Sequence, residues 1–516
     1  MNARALMVLG TASHVGKSLL TAAFCRILRD DGYRVAPFKA QNMSLNSAAT
    51  PAGGEIGRAQ ALQAEAAGIA PTVDMNPVLI KPTSERRSQV VVAGKIWGDT
   101  SASDYHRRRI VELFPTVCEA YERLAARYDV VVLEGAGSPA EINLRESDLV
   151  NMRMAHAADA RCVLAGDIDR GGVFAALYGT LALLDDVDRA RIVGTLVNKF
   201  RGDVDLLRPG LAMLEERIGK PCLGVVPYLR DIGLEEEDGV AFDAVPRAVD
   251  ARWNGDARDV ARPLRIAVVA WPLVANVTDF DALVREPEVE LVFASGPRAL
   301  EGADVVVVPG TKSTLAALAW LEGAGFVPAL RAAAGRALVV GICGGMQALG
   351  TRVDDPFGVE GGGGRAGLGL LPLRTTLARE KVAERASGST YPTRIARAEF
   401  TAQPIDGYEI HVGETTYEPG ARPFASIARA SDGATLDDGA VSADGRVVGT
   451  YLHGLFADDA FRGAFLDAVR AASGLAPARE RAAFSVAREA AFDRLAAHVR
   501  AAVDMPRLLR ACGIAT

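Results

Sequence analysis

The chain lacks the features that mark several large classes of protein. Its six cysteines are scattered singly with no C-x-x-C pair, so neither a zinc site nor a disulfide framework is predicted. No apolar run approaches the roughly 20 residues of a membrane-spanning helix, and the first residues do not form a signal-peptide pattern. The net charge of −6, without an extended basic stripe, argues against a general nucleic-acid binder. We therefore expect a cytoplasmic protein with no membrane or nucleic-acid partner.

Apolar residues are plentiful, and their spacing predicts two α/β domains. With 516 residues, 49% of them hydrophobic, the chain is too long for one ordinary domain. Continuous apolar runs alternate with helical patterns over residues 1–245, which predicts a doubly wound parallel sheet. Residues 246–263 are polar and aperiodic and are predicted to be a linker. The alternation restarts over 264–460, and 461–516 are predicted to be helices packed on that second domain.

A variant phosphate-binding loop follows the first predicted strand. Its sequence is Gly10-Thr-Ala-Ser-His-Val-Gly-Lys17-Ser18, in which Thr11 stands at the first glycine position of the standard motif. We expect backbone N–H groups from Ser13 through Gly16 to Lys17 to converge on phosphate oxygens at the start of a helix. Lys17 is predicted to reach the β- and γ-phosphates, and Ser18 to bind Mg²⁺. A glycine turn with an incidental lysine is the alternative.

A second ligand for Mg²⁺ is expected at the end of a neighbouring strand. Glu134 ends the apolar run of residues 130–133 and is followed by two glycines that leave room for a ligand. Ligands of open α/β sheets bind at such strand ends. Glu134 is therefore predicted to bind the metal, with a helix-capping role as the alternative.

A thiol turn occurs in the second domain. Gly341-Ile-Cys343-Gly-Gly345 lies between an apolar run and a helical pattern, which predicts a tight strand–nucleophile–helix elbow. The start of the helix lowers the pKa of a thiol, and the backbone N–H of Gly344 can donate to a developing oxyanion. Gly310, at another strand end, is a candidate second donor. His453, in a glycine-flanked turn, is the predicted base, and His411 is its competitor.

With these two motifs, the chain resembles the cobyric acid synthases, a family of glutamine-hydrolysing amidotransferases of cobalamin biosynthesis. The resemblance covers nearly the whole chain. It is carried by the phosphate-binding loop and the cysteine turn together with residues 37–46, 75–77, 134–139, 167–174, 198–203, 407–413 and 449–456. The phosphate-binding loop alone is also similar to those of dethiobiotin synthetase and MinD-like ATPases.

The resemblance implies a dethiobiotin-synthetase-like domain followed by a class I-type glutaminase domain. Such enzymes use ATP and L-glutamine to amidate the b, d, e and g carboxylates of a corrinoid, adenosylcobyrinic acid a,c-diamide. Lys39 is then expected to stabilise the transferring phosphoryl group. The candidates for nucleotide-base contacts are Asn198 and Lys199. Asp167 and Asp169 are candidates for contacts with a metal or the substrate, and the candidates for contacts with the substrate carboxylates are Arg170, Arg86 and Arg87.

The chain departs from typical class I glutaminases at one position. These carry His-x-Glu, whereas the residue two after His453 is Leu455. We therefore predict a Cys–His dyad, with Glu409 as a speculative group to orient the histidine. Two other functions remain open, a cobyrinic acid a,c-diamide synthase and a MinD-like regulatory ATPase with a degenerate glutaminase domain. The oligomeric state is also left open.

Overall fold

The structure, a computed structural model, describes residues 3–83, 87–101, 105, 111–235, 247–250, 253–254, 256 and 258–514. The chain divides into two compact units. The first comprises Met1–Ser44, Ile56–Glu237 and Arg488–Thr516, and the second comprises Leu45–Glu55 and Asp238–Ala487. Each unit is built around a parallel sheet of its own.

A six-stranded parallel sheet forms the centre of the first unit. From one edge to the other, its strands are Cys222–Pro227, Ile192–Phe200, Arg161–Asp167, Arg4–Gly10, Val130–Glu134 and Val35–Phe38. Side chains alternate across the sheet: Leu6 and Val8 join one apolar cluster, whereas Met7 and Leu9 join another. Both faces are therefore covered, which confirms the predicted doubly wound domain.

Helices of the first unit pack on both faces of this sheet. They are Lys17–Asp30, Arg58–Ala66, Phe114–Ala125, Met152–Ala157, Val173–Leu183, Asp186–Arg191, Val204–Ile218 and Met505–Ala511, with 3-10 turns at Val73–Met75 and Ile142–Ser147. A smaller sheet is formed by Gln41–Met43, Val78–Pro82, Arg87–Val92 and Lys95–Ser101. Leucines and alanines spaced along Lys17–Asp30 are buried, as expected of a helix that crosses the face of a sheet.

The second unit contains a mainly parallel sheet and a mainly antiparallel one, in which strands Arg352–Asp355 and Leu373–Thr390 pair in parallel. The first has the order Arg247–Ala248, Val289–Ala294, Leu264–Val269, Val305–Val308, Leu338–Ile342, Val447–Thr450 and Ala440–Val441, of which the last strand alone is antiparallel. The second has the order Gly363–Ala366, Arg352–Asp355, Leu373–Thr390, Pro404–Tyr417 and Leu452–His453, with Ala425–Arg429 and Thr435–Asp438 alongside. A short pair, Thr393–Ile395 and Ala398–Phe400, is separate.

Five helices of the second unit lie wholly within the described residues. They are Asp281–Val284, Thr314–Gly323, Phe326–Ala334, Gly344–Leu349 and Asp459–Ala472, with 3-10 turns at Val277–Phe280, Pro297–Leu300 and Leu455–Ala457. Across the described part of the chain, no single helix has both the length and the apolar composition to cross a membrane. Two consecutive helices, Thr314–Gly323 and Phe326–Ala334, meet that test only jointly, and a bend of 94° separates them.

The C-terminal residues depart from the predicted domain assignment. The prediction packs all of 461–516 on the second domain, and Asp459–Ala472 does bury Phe461 and Phe465 there. From Arg488 onwards the chain instead belongs to the first unit. The reason is an apolar stripe that shares a buried cluster with helix Lys17–Asp30 and is flanked by ion pairs from Arg26 to Glu489 at 2.9 Å and to Asp493 at 2.7 Å. The long helix Phe484–Ala502 thus starts in one unit and continues in the other.

Two further boundaries differ from the prediction. Leu45–Glu55 lies within the predicted first domain, 1–245, yet it belongs to the second unit. In the predicted linker, 246–263, the strand Arg247–Ala248 pairs in parallel with Val289–Ala294 and so extends the sheet of the second unit. In both places a short segment is held by backbone hydrogen bonds. Such bonds produce no apolar periodicity, so the sequence pattern did not predict them.

Candidate active sites

The phosphate-binding loop connects the central strand Arg4–Gly10 to helix Lys17–Asp30. Gly16 is the N-cap of that helix and has φ 93°, a conformation that costs glycine little. A Cβ atom at this position would lie 2.4 Å from Nδ2 of Asn198. The loop is thus closed by a close approach that only glycine permits. Thr11 donates its backbone N–H to the carbonyl of Ala165 at 2.9 Å, and Ser13 is exposed.

Lys17 lies across this loop. Its Nζ donates to the carbonyl oxygen of Ala12 at 2.9 Å and to that of Gly137 at 3.2 Å. The side chain is buried, with 7% of the residue exposed. Because the ammonium is held at the start of a helix whose dipole favours anions, an anionic ligand there meets a charge already in place.

Glu134 accepts hydrogen bonds from three side chains near the phosphate-binding loop. It ends strand Val130–Glu134 and is buried, and its Oε1 accepts from Ser18 Oγ at 2.8 Å and from Lys39 Nζ at 2.9 Å. Its Oε2 accepts from Gln63 Nε2 at 2.6 Å. The sequence singles out Ser18, Lys39 and Glu134 separately, and the fold brings them together. Gln63 was missed, because a glutamine inside a helical pattern carries no signal of its own.

These side chains suit a magnesium ion bound jointly with a nucleotide. Mg²⁺ in such sites takes one or two protein oxygens and is completed by phosphates and water. The hydroxyl of Ser18 and the carboxylate of Glu134 are adjacent oxygens of the right kind. No cluster of three or more His, Cys, Asp or Glu side chains suited to a metal occurs among the described residues.

Asn198 and Lys199 both contact the backbone of the phosphate-binding loop. Asn198 Nδ2 donates to the carbonyl of Val15 at 2.8 Å, and Lys199 Nζ donates to that of His14 at 2.6 Å. Lys199 has φ 61°, an uncommon backbone conformation for a residue with a side chain. Both residues therefore brace the loop, a contact that their predicted role at the nucleotide base did not include.

The predicted substrate residues are only partly gathered. Asp167 ends strand Arg161–Asp167, and its carboxylate lies 3.4 Å from Lys199 Nζ and 3.9 Å from Arg170 Nε. Asp169 pairs with Arg201 at 2.8 Å. Arg87 is exposed at the start of strand Arg87–Val92, in the separate small sheet. Arg86 lies outside the described residues.

Cys343 occupies a strained turn in the second unit. It follows strand Leu338–Ile342, precedes helix Gly344–Leu349, and has φ 52° and ψ −112°. Such a conformation costs of order 1–3 kcal/mol and is typical of functional positions. A Cβ atom on Gly345 would lie 1.9 Å from the carbonyl oxygen of Val308, so the turn can form only with glycine there. This is the elbow that the sequence predicts.

His453 faces the cysteine and is fully buried. Its imidazole lies beside the side chain of Cys343, whose Sγ donates to the carbonyl of Ile410 at 3.5 Å. Its Nδ1 lies 2.7 Å from Oδ2 of Asp279, whose Oδ1 accepts from the backbone N–H of Gly454 at 2.8 Å. Burial lowers the pKa of His453. The charge and hydrogen bond of Asp279 and the neighbouring Cys343 outweigh this effect, so that the pKa rises to about 10. The imidazole is therefore held as its cation beside the thiol.

Asp279 corrects the predicted dyad. A carboxylate does orient His453, and it comes from the 3-10 turn Val277–Phe280 instead of from the position of Leu455. One signal was available in the sequence. Asp279 and Asp281 are the acidic residues of an otherwise apolar stretch, 271–284, and both are buried. Buried carboxylates are rare unless they are paired, so two aspartates in an apolar stretch indicate a buried partner such as the histidine.

Glu409, the speculative orienting group, is engaged elsewhere. Its Oε2 accepts from Arg429 Nε at 2.8 Å, and its Oε1 lies 3.2 Å from Nε2 of His411. Burial raises the pKa of Glu409, but His411 and Arg429 lower it more, to about 2. His411 in turn stacks on Tyr451 with ring centroids 3.7 Å apart. His411, the alternative base, is thus held by the carboxylate of Glu409 and the ring of Tyr451.

The two candidate oxyanion donors lie next to Cys343 and His453. Gly344 is the first residue of helix Gly344–Leu349. A Cβ atom on Gly310 would lie 2.9 Å from Cε1 of His453, and one on Gly344 would lie 2.8 Å from Cγ2 of Thr311. The turn at 310–311 therefore borders both the histidine and the residue that follows the cysteine.

Comparison with known proteins finds similar proteins over nearly the whole chain. Residues 6–241 match the family described as the CobQ/CobB/MinD/ParA nucleotide binding domain, and residues 265–461 match the CobB/CobQ-like glutamine amidotransferase domain. The cobyric acid synthase of Syntrophobacter fumaroxidans is 49% identical over 99% of this chain and 99% of its own length. Those of Chloroflexus aurantiacus and Klebsiella pneumoniae subsp. pneumoniae are each 48% identical, over 99% and 98% of this chain and 100% and 97% of their own lengths. The chain belongs to the cobyric acid synthase family.

Proposed function

We propose that this chain uses glutamine and ATP to amidate the b, d, e and g carboxylates of adenosylcobyrinic acid a,c-diamide, giving adenosylcobyric acid. It is an enzyme with a nucleotide-binding domain and a glutamine amidotransferase domain. The observation that carries the proposal is the arrangement of Cys343, His453 and Asp279, in a chain that also carries the Lys17 and Glu134 site. A nucleotide switch has no need of an activated thiol.

Glutamine hydrolysis is the first half-reaction. The Cys343 thiolate attacks the carboxamide carbon of glutamine, and the His453 imidazolium gives its proton to the departing ammonia, which leaves a thioester. Neutral His453 then takes a proton from water, which attacks the thioester and releases glutamate. Backbone N–H groups at Gly344 and Gly310 are the donors for the tetrahedral oxyanion, and one such donor is worth about 3 kcal/mol in comparable sites.

Carboxylate activation is the second half-reaction. A substrate carboxylate attacks the γ-phosphorus of ATP, the bond to the bridging oxygen breaks, and ADP leaves with an acyl phosphate formed. Ammonia then attacks the acyl carbon, loses a proton and displaces phosphate, which leaves the amide. Activation is needed because a free carboxylate is a poor electrophile. Lys17 and Lys39 neutralise charge on the transferring group. Ser18 and Glu134 are the residues that hold Mg²⁺, which when bound supplies Lewis-acid stabilisation of the phosphate oxygens.

Substrate and nucleotide contacts complete the proposal. Asn198 and Lys199 bind the nucleotide through the loop they brace and through its base. The corrinoid carries many carboxylate and amide groups, which guanidinium groups recognise well, and Arg170 and Arg87 are the exposed candidates. Asp167 and Asp169 accept hydrogen bonds from substrate amides or hold a second cation.

Product mass is the direct test of this function. The enzyme is incubated with the a,c-diamide, ATP and glutamine, and the corrinoid is followed by mass spectrometry, which resolves each exchange of OH for NH₂. A ladder of four successive amidations is expected. Preference for a corrinoid that lacks the a and c amides, in a competition assay, would instead indicate the a,c-diamide synthase. ATP hydrolysis that glutamine and corrinoids leave unchanged would indicate a regulatory ATPase.

A further inference from the structure

Leu45–Glu55 is a short segment with an unexpected position. Its neighbours in sequence, strand Gln41–Met43 and helix Arg58–Ala66, belong to the first unit, whereas the segment itself belongs to the second. It is buried along most of its length. Its first two residues, Leu45 and Asn46, belong to the stretch 37–46 that resembles the family. The two half-reactions assign these residues no role.

Two asparagines fasten this segment to the turn that carries Asp279. Asn46 Oδ1 accepts from the backbone N–H of Val277 at 3.0 Å, and Asn276 Oδ1 accepts from the backbone N–H of Ser47 at 3.1 Å. Asn46 is 5% exposed and Asn276 is 2% exposed. We call this reciprocal pair of hydrogen bonds the asparagine clasp.

The clasp acts on the first residues of the 3-10 turn Val277–Phe280. Asn276 is the N-cap of that turn, with φ 56° and ψ 49°, a left-handed conformation that asparagine tolerates better than most residues. The first N–H groups of a helix have no partner within it. Asn46 supplies one for Val277, and the backbone N–H of Asp279 bonds the carbonyl of Asn276 at 3.0 Å. The clasp therefore fixes the backbone from which the Asp279 carboxylate reaches His453.

The other end of the segment is tied down independently. Ser47 Oγ donates to Glu55 Oε1 at 2.6 Å, and Glu55, fully buried, forms an ion pair with Lys381 in strand Leu373–Thr390. The backbone N–H of Gly54 bonds the carbonyl of Ala383 in the same strand at 2.8 Å. The segment is thus held by the sheet at one end, so that its other end can hold the 3-10 turn.

We propose that Asn46 and Asn276 are positioning residues for the glutaminase, through which the conformation of Leu45–Glu55 sets how well Asp279 orients His453. This rests on the proposed function of the thiol site. The segment is covalently continuous with residues of the nucleotide site. Asn42 donates to Gln60 Oε1 at 3.0 Å, and Gln63, in the same helix as Gln60, contacts Glu134.

The test replaces Asn46 by alanine in the full-length enzyme and separates three readouts. Glutamate release from glutamine is expected to fall roughly tenfold, the equivalent of about 1.4 kcal/mol in the barrier. The alkaline limb of its pH profile is expected to move to lower pH, because a poorly placed Asp279 raises the pKa of His453 less. ADP release with the a,c-diamide and saturating ammonium chloride is expected to stay at the wild-type rate, since it bypasses the thiol.

Matched variants make the result decisive. Thr50→Val removes a hydrogen bond inside the same segment, from Thr50 Oγ1 to the carbonyl of Gly53 at 2.5 Å, without touching the clasp, and is expected to behave as wild type. Asn276→Gly removes the other half of the clasp while keeping a residue suited to positive φ, and should reproduce the loss if Asn46→Ala does not fold.

Three outcomes would overturn the inference. The first is glutamate release at the wild-type rate in both Asn46→Ala and Asn276→Gly. The second is a loss of glutamate release in Thr50→Val as large as that in the clasp variants. The third is a loss in the clasp variants with a pH profile that matches the wild type. Failure of the proposed function itself looks different, because wild-type enzyme would then release no glutamate at all.

Discussion

Replacing Asp279 by asparagine removes the negative charge beside His453 at almost constant shape. The carbonyl of the new amide can still accept from the backbone N–H of Gly454, which contacts Asp279 Oδ1 at 2.8 Å. The amide nitrogen then faces Nδ1 of His453, where Oδ2 stood at 2.7 Å. An amide donor at that position favours the tautomer that carries its proton on Nε2, which reverses the role that His453 has towards Cys343.

The magnitude follows from the pKa of His453. Burial lowers it, and Asp279 with Cys343 raises it from 6.5 to about 10. At about 1.4 kcal/mol per pKa unit, this rise corresponds to roughly 5 kcal/mol in favour of the imidazolium. The fraction of this energy that is realised in the transition state sets the loss of rate. The comparable substitution in a serine-protease triad lowers kcat about 10⁴-fold, and we expect a loss of roughly 10²- to 10⁴-fold here.

The assay measures glutamate release and ammonia-driven ADP release side by side. Asp279→Asn is expected to lose the first and keep the second, and its pH profile should lose activity at lower pH than the wild type. Asp281→Asn, at the neighbouring buried aspartate, controls for the loss of a carboxylate in this stretch. Glu409→Gln, in the pair with His411 and Arg429, controls for the orienting group considered from the sequence.

A small effect would refute this reasoning. Glutamate release within about threefold of wild type, with an unchanged pH profile, would mean that Asp279 does not orient the catalytic base. Stability gives a second check. The folded-state pKa of His453 lies above its unfolded value of 6.5, so the pair stabilises the fold fully below pH 6.5 and loses this contribution as the pH rises through about 10. The difference in unfolding midpoint between the wild type and Asp279→Asn should therefore shrink at alkaline pH.

Three further substitutions test the rest of the structure. Cys343→Ser should abolish glutamine-dependent amidation and leave ammonia-dependent amidation intact, and equal loss of both would contradict separate sites. Glu134→Gln should lower ADP release with either nitrogen source by at least about tenfold, as expected when a charged ligand at a phosphoryl-transfer site is lost, and wild-type turnover would exclude Glu134 from the site. Arg488→Met should destabilise the fold by about 3 kcal/mol in urea denaturation, because a buried carboxylate loses a charged partner. That carboxylate is Glu235, which lies 2.8 Å from the guanidinium of Arg488 and also pairs with Arg58. Arg34→Met, whose pair with Asp129 is exposed, is the control that should leave the midpoint nearly unchanged.

Contiguous motifs were the part of the sites that could be predicted from the sequence. The phosphate-binding loop and the turn around Cys343 each need their glycines within a few residues of the reactive side chain, because the backbone itself makes the geometry. Gly16 and Gly345 show this directly, since a Cβ atom on either would overlap a neighbouring atom. The parallel sheets could be predicted for a similar reason, because strands buried on both faces are continuous apolar runs.

Partners that are distant in sequence could not be predicted. Asp279 and His453 are separated by 174 positions, and Arg488 and Glu65 by 423. No local pattern specifies such pairs, because the tertiary fold alone brings them together. The same holds for the C-terminal helix. Its apolar stripe could cover a face of either unit, and both the cluster that it shares with helix Lys17–Asp30 and the ion pairs of Arg26 with Glu489 and Asp493 appear only in the folded structure.

The absence of an acid at Leu455 has a structural reason. Leu455 begins the 3-10 turn Leu455–Ala457 and is buried in the apolar core of the second unit, where a carboxylate would be costly. Asp279 serves both needs from another element, because one oxygen orients the ring of His453 and the other holds the backbone N–H of Gly454. A carboxylate two residues after the histidine would be positioned by the same turn as the histidine. A carboxylate on a separate turn is positioned by whatever holds that turn, and Asn46 is part of what holds it. The position of Asp279 therefore depends on contacts that lie outside the turn that carries His453.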